Sequence, residues 1–339
     1  MTTGRDSIGV AVVGLGVGEQ HARAYLANGR CQLRWLYDLD VEKAQKIATV
    51  LGSGRVATSF KQVLDDPEVQ AVSIASYDDA HFEQVVAALN AGKHVFVEKP
   101  LSRTVEELAT VKRAWSNHQG KLKLSSNLVL RAAPIYRWLK KKIEHGDLGH
   151  IYAYDGEYLY GRLHKITHGW RKDVDGYSVM EGGGVHLIDL MVWLTGERPV
   201  SVHAVGNRIS TEETAFRYKD YVAATFLCAS GLVARIVANF GSVHRHQHVV
   251  RVFATNGTFI YDDAGPRYHT SRDPAVAACA VDLPTLPAAK GDLIGPFVSA
   301  ILQDKDMNAH TQEVFDVISL CAASDDALAS GSTAAVQYV

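Results

Sequence analysis

One lysine of the sequence stands where a proton-transferring group could act. Lys99 ends the apolar run HVFVEK at residues 94–99, and Pro100 follows it. When such a run is a strand of a parallel sheet, its carboxyl end opens onto the crevice where these sheets bind ligands. A lysine that is desolvated beside a cationic group shifts toward the neutral amine, which can act as a general base. The alternative is a surface ammonium that pairs with Glu98.

A histidine and an aspartate form a second candidate pair, in the stretch EGGGVHLIDLMVWL at residues 181–194. His186 and Asp189 are three residues apart on a predicted helix, so they share one face of it. The three glycines before them do not indicate a phosphate loop, because no strand of a nucleotide fold precedes them. The ordinary alternatives are a buried, hydrogen-bonded His186 and an Asp189 that bonds a neighbouring backbone group.

A glycine-rich turn follows the first apolar run, in the sequence VVGLGVGEQHA. A dinucleotide requires a tight turn, a residue without a side chain beside the pyrophosphate, and a helix N-terminus directed at the negative charge. Gly14 and Gly16 suit the first two requirements, and Gly18 lies next to them. The usual third glycine position is Glu19, so the strict fingerprint is broken, and a simple strand-to-helix turn is the alternative.

An acidic residue ends the next strand pattern at Asp38. A carboxylate at this place can accept hydrogen bonds from the adenosine ribose hydroxyls, and it would repel a 2′-phosphate. No arginine stands beside it in YDLDVEKA, so the sequence predicts NAD rather than NADP. The alternative is that Asp38 only ends its strand and caps the helix that follows.

Taken together, these segments resemble the glucose–fructose oxidoreductase/inositol dehydrogenase family, called Gfo/Idh/MocA. The resemblance runs nearly from end to end. It is carried by five stretches: GLGVGEQHA, IASYDDAHFEQVVAALNAGKHVFVEKP, NLVLRAAPIYRWLKKKIEHGDLGHI, GGGVHLIDLMVWLTG and TNGTFIYDD. The second stretch departs from the family where the usual proline–asparagine pair reads Tyr77-Asp78.

The resemblance implies hydride transfer between a nicotinamide and a hydroxyl-bearing carbon, usually of a sugar, a polyol or a related compound. It implies that Lys99 is the general acid/base and that His186 contacts the substrate hydroxyl and shares the proton transfer. Asp189 is implied to bind substrate. The family commonly carries an aspartate four residues before the histidine, and this sequence has Gly182 there. A proton relay resting on that aspartate is therefore in doubt.

The resemblance also extends the list of candidate binding residues. The residues assigned to the cofactor are Gly14, Leu15, Gly16, Val17, Gly18, Asp38, Ser76, His81, Glu98, Lys99 and Arg171. The residues assigned to a carbohydrate-like substrate are Asp189, Arg131, Tyr160, His168 and Trp170. An exposed position at a helix start is the alternative for Arg131.

The segment YLYGRLHKITHGWRKD at residues 158–173 is dense in side chains that suit a polyol or glycosyl ligand. Aromatic rings stack on sugars, and arginine hydrogen-bonds to hydroxyl groups. In the family the corresponding loop holds a Trp-Arg pair, which here is Trp170-Arg171. Histidines such as His164 and His168 could instead indicate a metal, but no carboxylate or cysteine spacing supports one, so no metal is expected.

The pattern of elements that would position these residues changes along the chain. As far as residue 127, short apolar runs alternate with helical patterns, which is typical of a parallel sheet wound on both faces. Beyond it come alternating β-rich segments, and Asn256-Gly257 marks a hairpin. We therefore expect an α/β protein with a Rossmann domain at residues 1–126. An α/β domain at residues 127–339, for substrate binding and oligomerisation, would carry a large, open, mostly antiparallel sheet.

Composition limits the class of protein. The chain has 339 residues, of which 47% are hydrophobic and 21% charged, with a formal net charge of −2. This balance is that of a globular protein and gives no indication of a nucleic-acid partner or an anionic membrane. The cysteines are widely spaced, and the N-terminal apolar run is too short to span a membrane and lacks a signal peptide's layout. We expect a cytoplasmic protein.

Further alternatives concern activity and assembly. Some relatives bind NAD tightly and use transient oxidation to cleave or eliminate a glycosidic bond. A non-catalytic nicotinamide-binding regulator is another possibility, which the intact Lys99 disfavours and Gly182 leaves open. The segments VAATFLC and VARIVANF predict a largely apolar open sheet face, and a face of that kind would be costly in water. We therefore expect a homodimer or a homotetramer formed through it.

Overall fold

The computed structural model describes residues 6–339, so the first five residues of the N-terminal segment lie outside the description. The described chain divides into two compact units. The first unit comprises residues 6–129, 287–315 and 339, and the second comprises residues 130–286 and 316–338. The first unit thus includes a segment from the C-terminal part of the chain, which the single cut at residue 127 does not foresee.

The described part of the first unit is built on a six-stranded sheet whose strands are all parallel, in the order β3-β2-β1-β4-β5-β6. The strands are β1 (Ile8–Val13), β2 (Cys31–Tyr37), β3 (Arg55–Val56), β4 (Ala71–Ile74), β5 (His94–Val97) and β6 (Leu124–Ser126). The helices are α1 (Gly18–Asn28), α2 (Val41–Leu51), α3 (Phe60–Asp65), α4 (His81–Asn90) and α5 (Val105–Ser116). This strand order is that of a Rossmann fold, which confirms the predicted fold class.

The core of the first unit includes the returning segment. Every residue of β1 is buried, as expected for a strand covered on both faces. One further helix, residues 294–302, places Ile294 and Phe297 in the same apolar cluster as Val10 and Tyr25. The ring of Phe297 lies 5.5 Å from that of Phe96 on β5. The C-terminal segment therefore completes the core beneath the nucleotide fold.

The second unit contains a nine-stranded sheet among its described residues, in the order β14-β13-β12-β11-β7-β10-β9-β8-β15. Its strands are β7 (Ile151–Leu159), β8 (Pro199–Asn207), β9 (Tyr221–Cys228), β10 (Val233–Asn239), β11 (Gln247–Ala254), β12 (Thr258–Asp262), β13 (Gly265–His269), β14 (Cys279–Ala280) and β15 (Ala334–Ala335). The central pair β7 and β10 is parallel, and the other neighbours are antiparallel. The predicted mostly antiparallel sheet is confirmed, as is the hairpin at Asn256-Gly257, which joins β11 to β12.

The remaining helices follow the chain around this sheet. They are α6 (Pro134–Glu144), α7 (His164–Thr167), α8 (Val185–Thr195), α9 (Ile294–Leu302) and α10 (Asn308–Ser330). A π-helical turn, Met180–Gly184, runs directly into α8, and short 3₁₀ turns occupy Val129–Ala132, Trp170–Lys172 and Ile209–Thr211. Helix α8 is buried along almost its whole length and packs on β7 and β10.

The open face of this sheet is less apolar than the sequence predicts. The apolar residues of β9 and β10 are mostly turned toward the helices, as are the buried Val222, Phe226 and Ile236. The opposite face exposes apolar side chains, but it also carries Arg235, whose guanidinium bonds Asp155 and Glu157 at 3.2 Å. The exposed large apolar side chains on β9 and β10 are Leu227 and Val233. The expectation of a largely apolar face was therefore wrong, because strand alternation places half of each apolar segment inside.

Candidate active site

The glycine turn of the first unit has the geometry that a dinucleotide requires. Gly14 adopts the left-handed conformation with φ +80°, and a side chain there would overlap the backbone of Ala75 and Ser76. No atom lies within 4 Å of the position where a Cβ would stand on Gly16, so the space beside that residue is open. Gly18 opens α1, and its added Cβ would lie 3.0 Å from Val12 Cγ1. Gly18 therefore allows the helix to pack closely on β1. The sequence motif did not indicate this role, because its usual third glycine position is Glu19.

Asp38 is held in place at the end of β2. Its carboxylate accepts hydrogen bonds from the backbone N–H of Leu15 at 2.6 Å and of Asp40 at 3.0 Å, and from Lys43 Nζ at 2.9 Å. Burial alone would raise the pKa of Asp38, but the hydrogen bonds from Asp40, Lys43 and Leu15 outweigh burial and lower it. The N-cap of α2 is Asp40, whose side chain accepts a hydrogen bond from the backbone N–H of Lys43. Asp40, and not Asp38, therefore caps this helix.

These residues fit NAD. The open space at Gly16, the start of α1 and the ionised carboxylate of Asp38 are the parts that would meet the pyrophosphate and the adenosine ribose. Leu15 and Val17 complete the turn, and the backbone N–H of Leu15 is fixed on Asp38. The fit of the turn rests on backbone conformation at Gly14 and Gly16, which does not depend on any ligand.

Lys99 follows β5 at its carboxyl end and is partly buried. The peptide bond between Lys99 and Pro100 is cis. The carbonyl of Pro100 accepts a hydrogen bond from His81 Nδ1 at 2.7 Å, and His81 is fully buried. The other ring nitrogen of His81 lies 3.3 Å from the carbonyl oxygen of Ser76. This burial favours a supporting role for His81 over the direct cofactor contact that the resemblance implies.

Two further candidates of the first unit differ in their surroundings. The hydroxyl of Ser76, after β4, donates to Gln84 Oε1 at 2.7 Å. Glu98 is held from two directions, since its Oε1 accepts from His21 Nε2 at 3.1 Å and from Asn127 Nδ2 at 2.7 Å. Sequence reasoning missed His21 and Asn127. The signal for His21 was available, because it stands one turn into the helix that the glycine turn opens.

In the second unit the glycine run forms the π-helical turn. A side chain on Gly182 would overlap the hydroxyl of Tyr177, and one on Gly183 would overlap the ring of Tyr158 and lie 2.8 Å from that of Phe240. The protein's own aromatic rings cover these glycines, and the hydroxyl of Tyr177 occupies the space that a side chain on Gly182 would take.

His186 lies at the start of α8 within a cluster of aromatic rings, and it is 7% exposed. Its ring centroid is 6.2 Å from that of Tyr158 and 5.8 Å from that of His248. His246 lies 5.0 Å from His248, and both imidazoles meet the ring of Tyr158 edge-on. We call His186, His246, His248, Tyr158 and Tyr160 the ring cluster. His246 and His248 were missed, although their spacing of two residues places both on one face of the β11 region.

Asp189 and Arg131 are paired with each other. Arg131 Nε lies 2.9 Å from Asp189 Oδ1, and its Nη2 lies 2.6 Å from the same oxygen. Both side chains are buried, with 7% of Arg131 and 0% of Asp189 exposed. The surface alternative for Arg131 is therefore wrong. A bidentate pair of this kind fixes the end of the 3₁₀ turn on α8, one turn beyond His186.

The remaining candidates lie in and beside the loop that follows β7. Tyr160 is 6% exposed, and its ring centroid lies 4.5 Å from that of Phe240 with the two rings tilted by 34°. His168 is exposed and its Nδ1 lies 2.8 Å from Thr167 Oγ1. The guanidinium of Arg171 lies 4.4 Å from the ring of the adjacent Trp170, and both are partly exposed. Tyr160 thus belongs to the ring cluster, and the other three lie nearer to solvent.

Residues 6–339 hold no group of three or more His, Cys, Asp or Glu side chains arranged to bind a metal ion, and the histidines of the ring cluster are no exception. In the same part of the chain, no helix combines the length and the apolar character that crossing a membrane requires.

The strand order and the glycine turn define the first unit as a dinucleotide-binding domain. Residues 8–125 match the family model described as the oxidoreductase family with an NAD-binding Rossmann fold. Residues 136–260 match the model of the GFO/IDH/MocA C-terminal domain. The chain therefore belongs to the Gfo/Idh/MocA family, as the motifs predicted.

Individual relatives are distant. The levoglucosan dehydrogenase of Pseudarthrobacter phenanthrenivorans is 29% identical over 207 residues, which is 57% of this chain and 52% of the relative. The inositol 2-dehydrogenase of Acidothermus cellulolyticus is 30% identical over 210 residues, or 61% and 59% of the two chains. The chain thus spans between half and three fifths of these relatives. A solved levoglucosan dehydrogenase in complex with NADH and levoglucosan shares the fold, with a TM-score of 0.85, 22% identity and coverage of 97% and 99%.

Proposed function

We propose that the protein is an NAD-dependent dehydrogenase that transfers a hydride between nicotinamide and a hydroxyl-bearing carbon of a sugar, a polyol or a sugar derivative. The observation that carries the proposal is the position of Lys99 at the carboxyl end of β5, in a Rossmann unit with an intact glycine turn. Ligands of such sheets bind outside the carboxyl ends of the strands.

The cofactor side of the proposal rests on the glycine turn and Asp38. Gly14, Gly16 and the start of α1 would receive the pyrophosphate, and Asp38 the adenosine ribose hydroxyls. When bound, the cofactor supplies an acceptor for the hydride that leaves the substrate carbon. The lowered pKa of Asp38 keeps its carboxylate ionised at neutral pH, which disfavours a 2′-phosphate and therefore favours NAD over NADP.

Lys99 is assigned the proton. Oxidation of a carbinol requires the hydroxyl proton to leave as the hydride leaves the carbon, and a neutral amine can accept it. In the direction of reduction the lysine ammonium returns the proton to the carbonyl oxygen. Glu98 does not occupy this role, because its carboxylate is already engaged by His21 and Asn127.

The second unit is assigned the substrate. His186 would contact the reacting hydroxyl, and its position beside Tyr158 and His248 fixes the plane of its ring. Trp170 and His168 retain the exposure that stacking on a sugar and bonding its hydroxyls require. Because Arg131 and Asp189 are buried and paired, they are better suited to holding α8 in place than to binding substrate directly. Any contact of the pair with substrate would be made through its outer edge.

A carbohydrate-like substrate is supported by the relatives as well as by the residues. Two of the relatives are a levoglucosan dehydrogenase and an inositol 2-dehydrogenase, and both named compounds present several hydroxyl groups. Binding of such a ligand needs several hydrogen-bonding side chains beside an aromatic surface. The loop 158–173 and the ring cluster of the second unit offer that combination.

A homo-oligomer is proposed through the open face of the nine-stranded sheet. Val205, Leu227 and Val233 are between 41% and 56% exposed on its strands. Apolar side chains grouped in this way favour contact with a second surface, and Arg235 with its carboxylates would supply polar contacts around them. Sedimentation at micromolar concentration should give a dimer or a tetramer, and a monomer would contradict the proposal.

The function is tested by a substrate screen. Purified protein is incubated with NAD and individual sugars, inositols and sugar acids, and NADH is followed by its absorbance, with mass spectrometry of any nucleotide that co-purifies. The expected result is NADH formation with at least one polyol or sugar. Cleavage of a glycoside without net NADH would instead identify a transient oxidation, and nucleotide binding without turnover of any compound would indicate a regulator.

A further inference from the structure

The carboxylate next to Lys99 is held by side chains from two separate elements. His21, on α1, and Asn127, which follows β6, both donate to Glu98 Oε1, at 3.1 and 2.7 Å. The two donors are themselves close, since Asn127 Nδ2 lies 3.3 Å from His21 Nε2. His21 is 0% and Asn127 1% exposed, so these contacts are sheltered from water.

Each donor is oriented by a further partner. Because a carboxylate can only accept a hydrogen bond, Nε2 is the ring nitrogen of His21 that carries the hydrogen and donates it to Glu98. The other ring nitrogen of His21 lies 2.9 Å from Ser73 Oγ on β4, whose hydroxyl can donate to it. Asn127 Nδ2 also donates to the carbonyl of Lys290 at 2.8 Å, which sets the direction of its amide.

This arrangement bears directly on Lys99. An opposite charge within about 4–6 Å stabilises the charged form of a titratable group by one to three pKa units. A Glu98 carboxylate that turned onto Lys99 would therefore hold it as an ammonium, which cannot accept a proton. Among the groups that act on Glu98, His21 and Asn127 each act more strongly than Lys99.

We propose that His21 and Asn127 are positioning residues that hold Glu98 by hydrogen bonds, so that the Lys99 amine can lose its proton and act as the base. The inference rests on the proposed function for the role of Lys99, and it adds the residues that set the charge state of that amine. The groups facing Glu98 are His21 from α1, Asn127 from beyond β6, and Lys99 from its own strand end.

The backbone on the other side of Lys99 is also fixed. The carbonyl of Pro100 accepts from the buried His81 on α4 at 2.7 Å. Glu98, which precedes Lys99, is thus held through its side chain, and Pro100, which follows it, is held through its backbone carbonyl. With both neighbours held, a change in the Lys99 amine after substitution of His21 reports on Glu98 rather than on movement of the whole segment.

The test measures the titration of Lys99 without any substrate. Wild type, His21→Phe, Asn127→Leu and His21→Gln are acetylated with trace acetic anhydride from neutral to strongly alkaline pH, and the peptide containing Lys99 is quantified by mass spectrometry, with the exposed Lys46 as internal reference. In His21→Phe and Asn127→Leu the pKa of Lys99 should rise by about one unit, which lowers its reactivity at neutral pH about tenfold. His21→Gln keeps a donor near Nε2 and should return toward wild type.

The matched control is His94→Asn at the opposite end of the same strand. His94 is largely buried and its Nδ1 accepts from the backbone N–H of Lys123 at 3.0 Å, remote from Glu98 in the register of β5. This variant should lose stability while leaving the Lys99 profile unchanged. Thermal melts of all variants establish that the compared proteins are folded, and Asn127→Leu alone carries the test if His21→Phe does not fold.

The outcomes separate the inference from the proposed function. Lys99 profiles in both His21→Phe and Asn127→Leu that coincide with wild type would overturn the inference. A displaced profile supports it even when the substrate screen finds no dehydrogenase activity, because labelling needs no turnover. Where a substrate is found, the pH at which kcat reaches half its maximum should move upward in the same two variants while the KM for NAD changes little.

Discussion

Two partly buried carboxylates, Glu98 in the first unit and Asp325 on α10 in the second, differ in their charge. Burial raises the pKa of Glu98, but the hydrogen bonds from His21 and Asn127 outweigh it and lower the pKa to about 2. Burial also raises the pKa of Asp325, where a hydrogen bond from Ser178 at 2.9 Å opposes it and the charge of Asp326 adds to it, so that the pKa reaches about 7.

The difference shows how the candidate residues of each unit are held. In the first unit, charged groups at the ends of parallel strands are fixed by hydrogen bonds from helices and loops, and the charge is kept. In the second unit, aromatic rings pack on a glycine turn, and Ser178, which accepts from the N–H of Met180 at 3.1 Å at the start of that turn, connects it to a carboxyl group that is partly protonated near neutral pH. Substitutions that remove a charge should therefore have opposite effects in the two units.

The largest expected effect is on turnover, from Lys99→Met. Loss of a general base lowers kcat by about a thousandfold. Binding of NAD, measured by fluorescence titration, should be retained because the glycine turn and Asp38 are untouched. Lys121→Met, at an exposed lysine of the same unit, is the control and should leave kcat unchanged. Full turnover in Lys99→Met would remove the role assigned to this residue.

The next effect is on stability, from Glu98→Gln. The substitution takes the charge from a carboxylate that accepts from His21 and Asn127, and the free energy of unfolding at about pH 7 should fall by roughly 3 kcal/mol. The folded pKa of about 2 lies below the usual 4.5, so this stabilisation is present above pH 4.5 and is lost as pH falls toward 2. Urea unfolding should show the gap between the proteins narrowing in acid, and a constant gap would contradict the assignment.

Asp325→Asn should act in the opposite direction. The folded pKa of about 7 lies above the usual 3.8, so the stability linked to the protonated form is present below pH 3.8 and is lost as pH rises toward 7. An asparagine still accepts from Ser178 but cannot ionise. The variant should exceed wild type in free energy of unfolding by roughly 2–3 kcal/mol at about pH 8 and match it at about pH 4. Asp326→Asn, at an exposed neighbour, is the control, and equal stability of Asp325→Asn and wild type at alkaline pH would argue against a protonated Asp325.

Gly183→Ala tests the packing of rings on the glycine turn. The added methyl group would meet the rings of Tyr158 and Phe240, and overpacking of this kind costs about 2 kcal/mol. Gly184→Ala is the matched control, because its methyl group would meet the flexible end of Met180 at 3.0 Å and should cost less. Thermal melts that rank the two variants the other way would show that the rings yield more readily than Met180 does.

The smallest expected effect is on cofactor choice, from Asp38→Ser. Removal of the carboxylate takes away the acceptor for the ribose hydroxyls. It also leaves Lys43, whose Nζ lies 2.9 Å from Asp38 in the wild type, without its acidic partner. The ratio of the Kd for NADP to that for NAD should fall about tenfold, which corresponds to about 1.4 kcal/mol. Wild-type protein that binds NADP as tightly as NAD would contradict the proposed preference from the outset.

Much of the first unit could be predicted from the sequence because its site residues follow strands at regular intervals. Gly14, Asp38 and Lys99 each lie at the end of a recognisable apolar run, and parallel strands bring such ends to one edge of the sheet. The two-residue strand β3 and the short helix α3 were missed, since neither is long enough to show a period. His21 and Asn127 were missed as partners of Glu98 because they lie 77 and 29 residues from it along the chain, respectively.

The second unit was less predictable because its site depends on tertiary packing. The helix carrying His186 and Asp189 was predicted, but the pairing of Asp189 with Arg131, 58 residues earlier, has no local signal. The contacts of His248 and Tyr158 with His186 likewise arise only when β7 and β11 pair. The glycine run was recognised as special, yet the rings of Tyr158 and Phe240 that lie against Gly183 come from distant segments.

The return of residues 287–315 to the first unit has a consequence for how the protein is made. Ile294 and Phe297 belong to the core that β1 and α1 begin nearly three hundred residues earlier. During synthesis the core of the first unit therefore cannot be completed until α9 has been made. Until then, part of the apolar surface of the nucleotide fold stays uncovered. A nascent chain stopped before that helix should engage chaperones through this surface, whereas one stopped after it can close its first core.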